Sequence, residues 1–504
     1  METGIVAWNQ IQPQLDLPDF DSTTIAQGRH MKFHNLRAME RGGFGQVFRS
    51  TATAGVEHIF AIKRLTSRVW STNLVEYLRK QNRLLDSLRR EAQIYLSETF
   101  NRGQSTHLAM LHDVAFVKHT INDGSVIIEI SEPVLVLEWA NAQPDNTLQA
   151  WMKANPVSEI GLQERLSLAI QIFSGLVQLH RGGDSTAITA AAHGDAESVP
   201  LFVHQDVKPA NILLFGESKS GSCPFRLALT DFGLSVSYNG AAEEAVLGGA
   251  GTRVYMAPEQ WLGLPARTPS RDIWAAGMVL AKMFAGALAT KALEEYQHYC
   301  SAFKKKETSR EGVIDGFCDH AQNIARAVDD DGRKNPATPL SRVQKAIAPL
   351  LWKSFRPGRE LKQTMLPGHA RPTSFQCETA LKKIWNDLSF ESWELYHGKL
   401  PILKPTPLQH DNRHRLALFY LECMERGTLE MMLKQCQRLL HKVAPSDQPT
   451  VQKQISVWQQ QVQRNQQDTR FHRKSCDTKS MMELPECHEV VFVPIWEKEG
   501  LVFG

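Results

Sequence analysis

Cysteine is scarce in this sequence. Eight cysteines are spread over 504 residues, and none forms a Cys-x-x-Cys pair. That argues against a disulfide framework and fits a reducing compartment. His472, Cys476, Cys487 and His488 are donor types that zinc accepts, but the Cys476 to Cys487 gap is long and irregular for a zinc motif. Long apolar runs are missing too. No stretch approaches the ~20 continuous apolar residues of a membrane-spanning helix. Met1 to Gln14 has no basic region leading into an apolar core, so no secretory signal is expected. Neither sign of charge is in excess. Lys+Arg 57 against Asp+Glu 54 leaves a formal +3, too little to point to nucleic acid or an anionic membrane. The basic run Lys304-Lys305-Lys306 reads as solvated surface rather than a targeting signal. The expectation is an intracellular protein, cytoplasmic or nuclear, with no nucleic-acid or membrane partner.

What is present is an ordinary globular balance of 42% hydrophobic and 22% charged residues, enough for cores in roughly two to four domains. Residues 1–30 are polar, with Pro13, Pro18, Asp16, Asp19 and Asp21, and read as an extension. From Lys32 to about Ala140, short β-like runs dominate: Val47-Phe48, Ile59 to Ile62 and Val134 to Leu137. Among them, Leu74 to Phe100 carries Leu78, Leu84, Leu85, Leu88, Ile94 and Tyr95 in an amphipathic helix pattern. After Thr147 the character is helical, with Leu166, Ile170, Phe173, Leu176 and Leu179 on one side of a helix ending near His180. Gly182 to Pro200 is rich in Ala, Gly and Ser and reads as a loop. The stretch 286–345 is polar and looks like an irregular insertion. Late in the chain, Val451, Ile455, Trp458 and Val462 repeat at helical spacing in a Gln-rich run, as a short coiled coil or a helix packed on the main body.

Chemistry concentrates in a few segments. Arg41-Gly42-Gly43-Phe44-Gly45-Gln46-Val47 offers backbone N–H groups without Cβ obstruction, as phosphate binding requires, although a plain turn has the same composition. Ala61-Ile62-Lys63 ends an apolar run in a lysine, and Glu91 on the following helix is a carboxylate that could fix it. In Val203 to Leu214, Asp206, Lys208 and Asn211 lie between two apolar runs. Taken alone, that pattern is also a polar turn between strands. The next run delivers Asp231-Phe232-Gly233, a carboxylate at a strand end suited to Mg²⁺.

In that order, and followed by Met256-Ala257-Pro258-Glu259, these segments resemble the eukaryotic-type protein kinases over roughly residues 31–385. The resemblance implies an α+β, bilobal fold: a small β-rich N-lobe with one key helix (about 31–140) and a larger helical C-lobe (about 141–385). Insertions would lie near 181–200 and 286–345. Residues 386–504 would form a mostly helical C-terminal region, either a cap on the C-lobe or a site for a protein partner. The resemblance also implies ATP and Mg²⁺, with Gly42, Gly43 and Gly45 covering the phosphates and Lys63, paired to Glu91, contacting them. Val47, Ala61 and Leu213 would enclose the purine, and Glu138 to Ala140 would be the hinge, with Leu137 beside it. Asn211 and Asp231 would hold the metal, Asp206 would orient the acceptor hydroxyl, and Lys208 would steady the γ-phosphate. Asp272 would brace the catalytic-loop backbone, and Arg371 would pair with Glu259. Lys208 and the run Gly251 to Tyr255, with Thr252 near Asp206, resemble serine/threonine kinases, so the implied partner is a protein carrying such an acceptor.

Departures from the family pattern carry information. Glu40 stands where the first loop glycine belongs. The long gap from Lys63 to Glu91 leaves Glu76 and Glu98 as alternatives. Gln205 replaces the arginine that commonly meets an activation-loop phosphate, and an amide cannot neutralise a phosphate. Activity independent of phosphorylation between Asp231 and Glu259 is therefore expected, with Ser235, Ser237 and Tyr238 jointly replaceable. Two other readings compete: a pseudokinase scaffold that binds partners through the same fold, and a small-molecule kinase. Retention of Lys63, Asp206, Asn211 and Asp231 argues against the first. The Gly251-Thr252 to Glu259 segment argues against the second.

Overall fold

The computed structural model describes residues 8–11, 15–28, 31–41, 45–54, 56–64, 71, 73–96, 107–123, 126–142, 146–158, 161–181, 201–216, 225–238, 251–263, 269–303, 309–334, 336–357, 371–388 and 426–474. Gly42, Gly43, Glu98, the 182–200 stretch, Lys304 to Lys306, Cys476, Cys487 and His488 lie outside the described residues. The chain divides into two compact units. The first comprises Met1–Ser97, Met110–Trp139 and Pro405–Gly504, and the second Glu98–Ala109 and Ala140–Lys404.

The first unit is built on an antiparallel barrel. Its strands are β1 (Ala26–Gln27), β2 (Lys32–Arg41), β3 (Gln46–Ala54), β4 (Val56–Arg64), β5 (Leu111–Asp123) and β6 (Val126–Glu138), closed in the order β1-β2-β3-β4-β6-β5. Side chains alternate between faces along a strand. On β4, Phe60 and Ile62 enter a core with Phe33, Phe48, Val134 and Val136, so Ala61 and Lys63 occupy the other face. Part of the expected N-terminal extension is structural. Phe20 packs in this core, and β1 joins β2 to β5. Beside it, the Arg64 guanidinium donates to both oxygens of Glu132 (2.8 and 3.0 Å), and His119 Nε2 meets Glu132 Oε2 at 2.8 Å. The Phe20 ring covers the guanidinium at 4.3 Å.

The short helix α1 (Trp8–Ile11) and the long α2 (Leu74–Leu96) belong to the same unit. Two late helices join them: α11, over residues 426–440, and α12 (Gln448–Lys474). Leu74, Tyr77 and Leu78 of α2 share a buried cluster with Leu429, Met432, Cys436 and Leu439 of α11 and Val451, Ile455 and Trp458 of α12. The helical repeat at 451–462 thus marks a packed face. Its partners are in the first unit.

The second unit contains α3 (Leu148–Ala154), α4 (Leu162–Arg181), β7 (Leu201–Val203), β8 (Ile212–Gly216), β9 (Phe225–Leu229), β10 (Val236–Tyr238), α5 (Pro258–Trp261) and α6 (Ser270–Met283). It continues with α7 (Ala287–Ala302), α8 (Arg310–Lys334), α9 (Pro339–Ser354) and α10 (Ser374–Asp387). β7 pairs with β10, and β8 pairs with β9. α6 is buried along nearly its whole length, and Gly277 lets it approach Ser354 and Phe355, where a Cβ would come within 3.0 Å of Ser354 Cβ. The irregular structure expected over 286–345 gives way to three helices. Leu293, Tyr296 and Cys300 line one face of α7, and Val313, Phe317, Ala321, Ile324 and Val328 line one face of α8. Polar residues on the exposed face of α7 and dense charge on that of α8 hide the period in the sequence.

Arg64 and Glu132 test the barrel. Replacing Glu132 with Ala removes the bidentate partner of a buried guanidinium. The expected cost is about 3–5 kcal/mol of unfolding free energy, read from the shift of a urea denaturation midpoint.

Candidate active site

The segment from His204 to Asn211 links β7 to β8, and its conformation is imposed from outside. The buried Asp272 carboxylate, at the start of α6, accepts the backbone N–H of His204 at 2.7 Å and of Gln205 at 2.8 Å. His180, at the end of α4, donates from Nε2 to Asp272 Oδ2 at 2.9 Å. Held this way, Gln205 takes a left-handed conformation (φ 66°), which side chains with a Cβ avoid and which costs about 1–3 kcal/mol. His204 is buried against Phe232, with Nε2 2.9 Å from the carbonyl of Thr230.

Asp206 is the centre of this segment. Its Oδ2 accepts from Lys208 Nζ (2.7 Å) and from Asn211 Nδ2 (3.1 Å), while Oδ1 accepts the backbone N–H of Thr252 (2.9 Å). Thr252 Oγ1 in turn accepts from Lys208 Nζ at 2.9 Å, so one ammonium ties the two segments together. Gly251, at φ 125°, makes the approach possible, since its Cα faces the carbonyl of Gln205 in a conformation that favours glycine. Further on, Gln260 Nε2 donates to the Gln205 carbonyl at 3.1 Å. Glu259 is fully buried and pairs in a two-pronged way with Arg371, whose guanidinium also lies 4.9 Å over the Trp274 ring.

Asn211 and Asp231 are brought together through the backbone, because Thr230 N–H donates to the Asn211 carbonyl at 3.0 Å. Asp231 adopts a left-handed conformation (φ 65°, ψ 65°) just before the turn Phe232–Leu234. The Asn211 amide nitrogen is committed to Asp206, to its carbonyl (3.0 Å) as well as its carboxylate, which leaves Oδ1 as a donor oxygen. A neutral amide oxygen and a carboxylate are hard donors, the kind Mg²⁺ takes. The donor set fits that ion.

In the first unit, Lys63 Nζ lies 2.6 Å from Glu91 Oε1, with the two side chains 8% and 1% exposed. Neither charge has much water to fall back on. Glu76, a fallback partner for Lys63, lies instead within 3.0 Å of Lys80 on the same helix. At Gly45 a Cβ would meet the Arg64 carbonyl oxygen at 2.4 Å, so only glycine fits where the chain enters β3 beside β4. Ala61 is buried opposite Leu137 in the β4–β6 register, while Val47, opposite Lys63, is half-buried. Leu213 is half-buried on β8 in the second unit. Glu138 Oε1 accepts from the Met110 N–H at 2.9 Å, and the two units divide between Trp139 and Ala140, inside the segment expected to be a hinge.

Sequence reasoning missed His180 and Gln260. Both act on backbone carbonyls or on Asp272 from distant segments, and no local pattern marks them. The revised picture also separates Ser235 from Ser237 and Tyr238, because Ser235 is buried with Oγ donating to the His204 carbonyl at 3.2 Å.

Comparison with known proteins agrees with this geometry. Residues 33–328 match the family model described as protein kinase domain. The serine/threonine-protein kinase chk-1 of Caenorhabditis elegans is 36% identical over 104 residues, 20% of this chain and 19% of that protein. The mitogen-activated protein kinase p38b of Drosophila melanogaster is 25% identical over 255 residues (50% and 54%). The mitogen-activated protein kinase HOG1 of Kluyveromyces lactis is 24% identical over 313 residues (62% and 56%). The chain thus spans from about a fifth to somewhat over half of these relatives. With a family match across more than half of its length, and the ordered segments from Lys63 to Glu259 inside it, this chain belongs to the protein kinase family.

Proposed function

We propose that the chain transfers the γ-phosphoryl group of ATP to serine or threonine hydroxyls of proteins. The observation that carries this reading is the closed network of Asp206, Lys208, Asn211 and Thr252. Phosphoryl transfer asks little covalent chemistry of a protein. It asks for positioning and for charge where charge develops. Asp206, fixed by three donors, orients the acceptor hydroxyl. Lys208 carries the positive charge next to it and steadies the γ-phosphate. Asn211 and Asp231 would hold Mg²⁺, which when bound would neutralise phosphate charge. In the first unit, Lys63 contacts the α- and β-phosphates, with Glu91 keeping its ammonium in place. By the family resemblance, Gly42, Gly43 and Gly45 would serve the phosphates, and Val47, Ala61, Leu213 and Glu138 to Ala140 are the residues assigned to the purine.

Support for the acceptor type comes from Lys208 and its tie to Thr252, which resemble serine/threonine kinases, and one of the relatives above is named a serine/threonine-protein kinase. Retention of Lys63, Asp206, Asn211 and Asp231, the charged and metal-holding groups that transfer needs, argues against the pseudokinase alternative. No described helix is long and apolar enough to cross a membrane. Intracellular placement and protein substrates complete the proposal.

Regulation by an activation-loop phosphate is absent from this reading. Gln205 Nε2 donates to the Leu234 carbonyl at 3.1 Å, a neutral hydrogen bond that already joins the loop to the segment after Asp231, while Gln205 Oε1 accepts from the Arg271 guanidinium of α6 at 3.4 Å.

Two measurements test the proposal. In a steady-state assay with ATP, Mg²⁺ and a serine/threonine peptide library, Asp206→Asn and Asp231→Ala should each lower kcat by about 100-fold or more, with unchanged circular dichroism. Equal rates for the parent and both variants sink the enzyme reading. Separately, Ser237→Ala with Tyr238→Phe should leave kcat within about threefold of the parent, whereas Ser235→Ala, which cuts a bond to the His204 carbonyl, should lower it. A loss above tenfold in the double variant overturns phosphorylation independence.

A further inference from the structure

Helix α2 contains neither glycine nor proline over its 23 residues, so it moves as one rod roughly 34 Å long. Its first half is gripped by the C-terminal helices. Leu74, Tyr77 and Leu78 are buried against α11 and α12, and Ile11, Leu15 and Leu17 complete the same cluster. Burial is deep enough to push the Tyr77 phenol well above its ordinary pKa and the Cys436 thiol up to about 12. At the edge of this cluster, a specific polar contact sets the register. The Trp458 indole N–H, on a ring only 1% exposed, donates to Asn82 Oδ1 at 2.9 Å, and Asn82 Nδ2 donates to Gln454 Oε1 at 3.5 Å. A buried indole N–H usually takes an acceptor, so sliding α12 along α2 would cost this bond. Lys434 and Gln435 of α11 fasten the other side, donating to the carbonyls of Glu129 and Leu15.

Glu91 lies nine residues beyond Asn82 on the same rod. At 100° and ~1.5 Å per residue that is about 13 Å along the axis and on the opposite side of the helix. A displacement of the gripped half is therefore delivered to Glu91, whose buried pairing with Lys63 tolerates little error.

We propose that α11 and α12 position α2 in cis, with Asn82 and Trp458 as positioning residues for the Lys63–Glu91 pair. The C-terminal region then acts within the same chain to support phosphoryl transfer. The role assigned to Lys63 rests on the kinase reading above; the coupling of the helices to Glu91 does not.

The test uses the full chain with Asn82→Ala, with Trp458→Phe, which keeps the aromatic volume but removes the N–H, and with Val457→Ala on the solvent side of α12 as a control. Amide hydrogen exchange without nucleotide should quicken by about tenfold across residues 83–96 in the first two variants and stay unchanged in the third. In ATP kinetics, Asn82→Ala should lower kcat/KM by about fivefold in the parent but by less than about twofold in a Glu91→Gln background. Exchange that quickens only within α11 and α12, or equal kinetic penalties with and without Glu91, overturns the proposal. A parent chain without turnover sinks the kinase reading, and the exchange measurement still decides whether the C-terminal helices control α2.

Discussion

The buried carboxylate of Asp272 is the constraint from which the rest of the second unit follows. A carboxylate without water must be satisfied by donors, and here the donors are the backbone N–H groups of His204 and Gln205 and the ring of His180. Once those bonds are made, the chain has to turn through the left-handed conformation at Gln205 and then present Asp206 toward Thr252. The strain at one residue is offset by charge-assisted hydrogen bonds at its neighbours. Everything that reads as chemistry, from Lys208 to Asn211, hangs on a loop that would not hold this shape unaided.

Buried ion pairs recur in both units: Lys63 with Glu91, Arg64 with Glu132, and Arg371 with Glu259. Such pairs add little net stability, because desolvation consumes most of the attraction. They are intolerant of partial formation, however, since an unpaired member is a charge without solvent. The pairs thus act as locks between elements far apart in sequence. Lys63–Glu91 joins a strand to α2, and Arg371–Glu259 joins the residues just before α10 to α5. The four described free thiols, Cys300, Cys318, Cys377 and Cys436, are all buried, and burial raises each of their pKa values, so they behave as small apolar side chains.

The motifs were readable because phosphate, metal and hydroxyl chemistry need particular residue types in a fixed order along the chain. The strands around Phe48, Ile62 and Val136 were readable from alternation. Glu91 was ambiguous because helix register against a distant strand is not written locally; only the 2.6 Å contact resolves it from Glu76. The helices between 287 and 354 were obscured by charge on their outer faces. The seat of the C-terminal helices was invisible for a different reason. Asn82 and Trp458 stand 376 positions apart, and neither carries a signature of the other.

The first unit is drawn from both ends of the chain, and this bears on how the protein is made. Residues 140–404 leave the ribosome and can organise as the second unit while the apolar face of α2 still lacks α11 and α12. Domains usually complete in order of synthesis, N-terminal first. Here the unit begun first is finished last, and until then Leu74, Tyr77 and Leu78 are an uncovered sticky surface on the nascent chain. Premature termination before residue 426 would therefore leave a chain that has the His204 to Asn211 loop but lacks the cover for α2, a natural substrate for chaperones and quality control.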